Sequence, residues 1–152
     1  MNWRARHGER PTGEQALAAG DEPPLAAHLV SARGLYTHHG LYVGNGRVIH
    51  YAGPFRAFFR GKVEEIPLQH FARGRRFGVL GGATRFTDAE IVRRARLRLG
   101  ERRYRLLSNN CEHFCEWCLR GRSRSSQVER FQRLLRGLLR FASSGPEVIT
   151  TH

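Results

Sequence analysis

The stretch "YTHHGLYVGNGRVIHY", from Tyr36 to Tyr51, limits the fold more than any other part of the chain. Two runs rich in β-branched and aromatic residues flank "GNGR", a tight-turn signal, so the stretch predicts a hairpin of strands 36–43 and 47–51. A hairpin cannot hide its apolar side chains alone, and the neighbouring sequence supplies further sheet. "HLVS" before it and "KVEEIPL" after it read as strands, and "RFGVLGG" as a return to the sheet. "LQHFARG" reads as a short helical turn ended by Gly74.

Helical patterns follow. In "TDAEIVRRARLRLG", Thr87 and Glu90 have capping-box spacing. Ile91, Val92, Ala95 and Leu99 form a stripe, and Gly100 is the stop signal. "RYRLLS" reads as extended, and Asn109 or Asn110 can cap a second helix running through Leu119 to Gly121. "SRSSQ" reads as a linker. In "FQRLLRGLLRFA", Phe131, Leu134, Leu135, Leu138, Leu139 and Ala142 recur at helical spacing opposite Arg133, Arg136 and Arg140. The sum is an α+β domain, a small antiparallel sheet with helices packed on it. Residues 1–24 read as a flexible leader, 25–128 as the domain, 129–142 as an Arg-rich helix and 143–152 as a tail.

The chemistry concentrates in "SNNCEHFC", Ser108 to Cys115, with Cys118 just beyond. Three cysteines in one short segment cannot make a disulfide framework and suit a reducing compartment. Zinc fits poorly, because all three thiols lie on one predicted helix with no second pair to converge with them. No metal or cofactor is therefore expected, and Cys115 and Cys118 read as small core residues. Cys111 is different. It follows the cap, where free backbone N–H groups and the helix dipole favour a thiolate and can hold an oxyanion.

A cysteine nucleophile needs a base and a group that orients it. Of the eight histidines, His7, His28, His70 and His152 sit in segments without other chemical signals. Alternation sends His38 and His39 to opposite faces of the first hairpin strand. His38 and His50 can be neighbours across the strands, the arrangement a base and its orienter require. The bland alternative is a set of sheet histidines with satisfied ring nitrogens.

These two stretches, with "RYRLLSNNCEHF", resemble the lecithin retinol acyltransferase family between His28 and Val128. Its histidine motif, Y-x-H-aromatic-(G/A)-(I/L)-Y-(V/L)-G followed by a turn and V-(I/V/A)-H, and its cysteine motif, N-C-E-H-F, occur in the expected order. The resemblance implies a circularly permuted papain-like fold of the NlpC type, with the histidine-bearing sheet before the cysteine helix. It implies that Cys111 is the nucleophile, His38 the general base and His50 the orienting residue, with Tyr104 assisting at the oxyanion. His39 stands where relatives carry Trp or Tyr and is expected to pack, remaining the alternative base if the register is shifted by one. Members resembling this chain move a fatty acyl chain from a glycerophospholipid, through a Cys thioester, to an alcohol, an amine or water.

The chain departs from the pattern in places. No C-terminal membrane anchor is expected, "AAHLVS" replaces an acidic dipeptide before the first strand, and no retinol-specific insertion is visible. With "HYAG" after the second strand, the resemblance points to a bacterial-type member. The leading expectation is thus a cysteine-dependent acyltransferase or phospholipase A-type hydrolase acting on lipid. The alternatives are a permuted cysteine amidase or peptidase, and a membrane-surface binding module. The formal net charge of +13 carries only one lysine, Lys62, and suits an anionic membrane surface. Nucleic acid ranks last, because no basic-aromatic motif accompanies the charge. Without an apolar leader or a long apolar run, the expected location is cytoplasmic, with any membrane contact peripheral.

Overall fold

A computed structural model of the chain describes residues 13–17, 22–53 and 61–143. Its centre is a six-stranded sheet. In chain order the strands are β1 (Glu14–Ala16), β2 (His28–Ala32), β3 (Thr37–Gly44), β4 (Arg47–Tyr51), β5 (Val63–Pro67) and β6 (Gly78–Leu80). The spatial order is β1-β6-β2-β3-β4-β5, and every pairing is antiparallel. The helices are α1 (Leu68–Ala72), α2 (Asp88–Leu97), α3 (Cys111–Arg120) and α4 (Ser126–Ser143).

The β3–β4 hairpin forms as the sequence predicts, with Gly44 paired to Arg47. Asn45 and Gly46 between them have φ of 52° and 65°, the left-handed pair that a two-residue hairpin turn requires. Alternation along β3 then builds two cores. Leu41 and Val43, with Ile49 and Tyr51 of β4, meet Ile91 and Ala95 of α2 and Phe114, Cys115, Cys118 and Leu119 of α3. On the other face Tyr42 and Val48 meet Leu29, Val79 and the ring of Phe71 from α1. Gly40 makes that second core fit, since a Cβ there would come within 2.8 Å of Phe71. β3 is therefore buried on both faces, unlike an ordinary half-exposed hairpin strand.

Five local readings change. Part of the segment read as a leader is strand: β1 pairs with β6 on the far edge. Residues 1–12 and 18–21 of that leader, and 144–152 of the tail, lie outside the described residues. Helix α2 stops at Leu97, before the glycine. There Arg98 turns inward to pair with Glu101 at 2.5 Å and to reach Asn109 at 3.0 Å, leaving Leu99 exposed. "RYRLLS" is a turn closed by an Arg105–Asn109 bridge, not an extended segment. "SRSSQ" is no free linker either, because Ser125, Ser126 and Gln127 are all hydrogen-bonded to Glu112. Finally, α4 does not cover the core beyond Val128: Phe131, Leu134, Leu135 and Leu138 are 42–62% exposed.

Candidate active site

The residue after a cap is decided by local hydrogen bonds, and Asn110 is the one that makes them. Its Oδ1 accepts from the main-chain N–H of Glu112 and of His113, both at 3.0 Å. His113 completes a capping box with the Asn110 N–H. Asn110 Nδ2 in turn donates to the Leu106 carbonyl at 2.9 Å, which fixes the preceding turn. Asn109 holds that turn from outside, donating to Glu101 and to the Arg103 carbonyl, each at 2.9 Å. Cys111 is consequently the first residue of α3, and it is 4% exposed.

The Cys111 sulfur meets β3 at the peptide joining His38 to His39. The main-chain N–H groups of His39, of Glu112 and of Cys111 itself lie near enough to act on it. These contacts favour the thiolate, but burial outweighs them and pushes the thiol up to about 11. The N–H groups at the helix start thus act in the direction the sequence predicts, and burial opposes them more strongly. Cys115 and Cys118 are wholly buried in the core, and burial raises both thiols.

The histidines divide between the faces of β3. His38 Nε2 lies 2.9 Å from His50 Nδ1, and the His38 ring stacks on Phe71 at 5.3 Å. His50 Nε2 is 3.4 Å from Glu64 Oε1 on β5, close to it but without the alignment of a hydrogen bond. The Nδ1 of His38 is buried without a hydrogen-bond partner among the described residues. Burial first, then the neighbouring His50, keeps His38 neutral well below the usual imidazole range, and burial lowers His50 to about 4.

His39 sits on the side of α3, with both ring nitrogens engaged. Nδ1 lies 2.9 Å from His28 Nε2, and Nε2 lies 3.2 Å from the Gln127 amide nitrogen. A Gln amide nitrogen only donates, so His39 Nε2 accepts and its proton is on Nδ1. Gln127 also brackets Thr37, accepting from its N–H at 3.0 Å and donating to its carbonyl at 3.2 Å. Glu112 anchors the same cluster with bonds from Ser125 Oγ at 2.6 Å and Ser126 N at 3.1 Å, and its carboxyl is held down to about 2.

Among the described residues neither His38 nor His39 hydrogen-bonds to the Cys111 thiol through its ring. Tyr104 packs edge-on to Tyr51 at 5.2 Å, and burial first, then the nearby Cys111, raises its phenol. His38 and His50 line a cleft of about 400 Å³, together with Tyr36, Ile66, Phe71, Arg33 and Arg73. Cys111 and Tyr104 do not line it. Sequence reasoning missed Glu64 and His28. Cross-strand register carries the signal for both, since Glu64 is paired with His50, and Val30, two residues from His28, with His39.

An antiparallel sheet with a cysteine at the start of a helix packed on its histidine strand is shared by more than one family, and comparison decides among them. The sequence model of the lecithin retinol acyltransferase family matches residues 21–124. This chain belongs to that family. It is 45% identical over 53 residues to the lecithin retinol acyltransferase of Rattus norvegicus and 42% identical over 53 residues to that of Mus musculus. Each match covers 35% of this chain and 23% of the relative, so the chain spans about a quarter of those proteins. It is 30% identical over 132 residues to phospholipase A and acyltransferase 4 of Homo sapiens, covering 75% of this chain and 80% of that protein. Lecithin retinol acyltransferase family membership accounts for the order of the elements: the histidine strands precede the cysteine helix, as in a circularly permuted papain-like fold. Among the described residues no helix is long and apolar enough to cross a membrane.

Proposed function

We propose that this protein is a thiol acyltransferase or phospholipase A-type hydrolase whose nucleophile is Cys111 and whose general base is His38. The observation that carries the assignment is the distribution of free ring nitrogens between the two adjacent histidines of β3. His39 has both nitrogens occupied, whereas the buried Nδ1 of His38 has no partner among the described residues. Glu64 beside His50 Nε2 favours the His50 tautomer protonated on that nitrogen, which leaves its Nδ1 to accept from His38 Nε2–H. The His38 lone pair then stands on Nδ1, the ring nitrogen left free to take a thiol proton. Resting sites often hold such pairs apart until substrate enters.

In the first half-reaction the Cys111 sulfur bonds to the ester carbonyl carbon of a glycerophospholipid as its proton passes to His38 Nδ1. The Cys111 N–H and the Tyr104 hydroxyl are suited to the resulting oxyanion. Collapse breaks the acyl C–O bond, the departing alcohol takes the proton from His38, and an acyl thioester remains. In the second, an alcohol, amine or water gives its proton to His38 and attacks the thioester; the C–S bond breaks and the Cys111 sulfur takes the proton back from His38. Arg33 and Arg73 at the cleft suit the phosphodiester of such a donor.

Incubation with phosphatidylcholine carrying labelled acyl chains tests this reading. One acyl group should add to the intact mass, and Cys111→Ala should abolish the adduct. An unmodified wild-type protein, or label retained in Cys111→Ala, would overturn it.

A further inference from the structure

We infer that α4, together with the turns before His38 and before Cys111, docks on an anionic lipid surface and presents the Cys111 end of the sheet to it. This extends the function proposed above by naming where the donor is met, but the binding itself does not depend on catalysis.

The helix is amphipathic, and its apolar side faces outward. Successive residues turn by about 100°, which places Phe131, Leu134, Leu135 and Leu138 in one arc. Arg133 and Arg136 lie on the opposite side, and Arg130 borders the arc. All four apolar residues are exposed, Leu134 by 62% and Leu138 by 58%. Glu129 is the acid on this stretch, and Arg124 already pairs with it at 2.8 Å. Arg130, Arg133 and Arg136 thus face outward, with no second acid on the described part of their own helix.

Two more apolar points lie at the same end of the molecule. Leu35, 106% exposed, tips the turn leading into β3, and Leu106 and Leu107, 62% and 52% exposed, tip the turn leading into α3. The start of α4 is tied to both turns. Gln127 brackets Thr37 at the start of β3, and the Asn110 side chain joins the Leu106 carbonyl to Ser125. Convex leucines on separate turns beside a flat apolar helix face match a deformable apolar layer better than a peptide groove. A basic polar side then selects anionic head groups, while the same arginines would repel a second copy of α4.

Co-sedimentation with vesicles tests this, using phosphatidylcholine alone and an equimolar mixture with phosphatidylglycerol. The wild type should bind the mixed vesicles, bind the neutral ones poorly, and release as salt is raised. Leu134→Asp with Leu138→Asp should weaken binding at least about tenfold, and Arg133→Gln or Arg136→Gln by roughly fivefold each. Leu106→Asp should weaken it independently. Unchanged far-UV circular dichroism in these surface variants would show that folding is intact. Failure to bind, equal binding to neutral vesicles, or wild-type binding by the variants would overturn the inference. So would a dimer in sedimentation equilibrium that Leu134→Asp dissociates, since the face would then belong to a second copy. Acylation of Cys111 by a monomeric short-chain ester separates the two proposals. Acylation without vesicle binding removes only the docking surface, and vesicle binding without any adduct removes only the enzyme reading.

Discussion

His38 Nε2 is hydrogen-bonded at 2.9 Å to His50 Nδ1, while the Nδ1 of the same His38 ring has no hydrogen-bond partner among the described residues. One residue further along the strand that asymmetry disappears: His39 is held at both nitrogens. His38→Ala should therefore lower Cys111 acylation by about 10²–10⁴-fold, the usual contribution of a general base. His39→Ala should instead lower unfolding free energy by about 1–3 kcal/mol through a buried pairing left unmade, with acylation largely kept. Single-turnover acylation and urea unfolding of both variants distinguish the roles. The reverse pattern would transfer the base to His39.

A second prediction concerns the residue after the cysteine. Glu112 accepts from Ser125 Oγ, Ser126 N and Ser126 Oγ, at 2.6, 3.1 and 2.7 Å, and so caps the first turn of α4 from the first turn of α3. Glu112→Gln keeps the shape but replaces a charged acceptor with a weaker neutral one. Stability should fall by roughly 1.5–3 kcal/mol, the scale of hydrogen bonds to a charged group. Exchange of the α4 amides should accelerate more than exchange of the β3 amides, as hydrogen-exchange mass spectrometry can read. Uniform acceleration would mean that the clasp does not hold α4.

Much of this was legible in the sequence because the signals are local. Asn-Gly flanked by alternating apolar residues specifies the hairpin, and Thr87 with Glu90 specifies the start of α2. The division of His38 from His39 follows from period-two alternation alone. What the sequence did not reveal is long-range. β1 joins β6 by a pairing that its three short residues do not advertise, and the Ser125–Gln127 anchor depends on a carboxylate from another helix. Arg98 ends α2 early because it finds Glu101 and Asn109, partners that helical periodicity cannot register. Glu64 became visible only with the β4–β5 register. The outward aspect of the α4 leucines was not legible either, because periodicity reports which face is apolar and is silent on what meets it.

Acid should destabilise the fold in two stages. His39 and His50 are lowered from 6.5 to about 4 by burial, and His28 and His38 move in the same direction. In the folded protein these rings stay neutral while the unfolded chain takes up protons below pH 6.5. Stability is thus full above that pH and falls as pH drops toward 4. Each histidine contributes about 1.4 kcal/mol to the loss for every pH unit by which its folded value lies below its unfolded one. Glu101 and Glu112, held down to about 2, add a second loss between 4.5 and 2. Urea midpoints measured across this range should decline already between pH 6.5 and 4.5. A flat profile there would contradict the neutral, buried state of the histidines.

The thiol itself gives the last test. Burial places Cys111 near 11 even though three main-chain N–H groups favour its thiolate, and His38 and His50 are neutral at pH 7. The resting pair is then thiol and imidazole, and the proton moves only as the sulfur attacks. Alkylation of Cys111 by iodoacetamide, followed by peptide mass analysis, should be slow at neutral pH and still rising above about pH 9. A preformed thiolate–imidazolium pair would give a reactive thiol well below neutrality, which would exclude the buried-thiol state. The His38→Ala variant separates ground state from mechanism. Its alkylation curve at high pH should match the wild type, because hydroxide ionises the thiol in both, whereas its acylation by ester should be lost, because the proton acceptor for that step is gone.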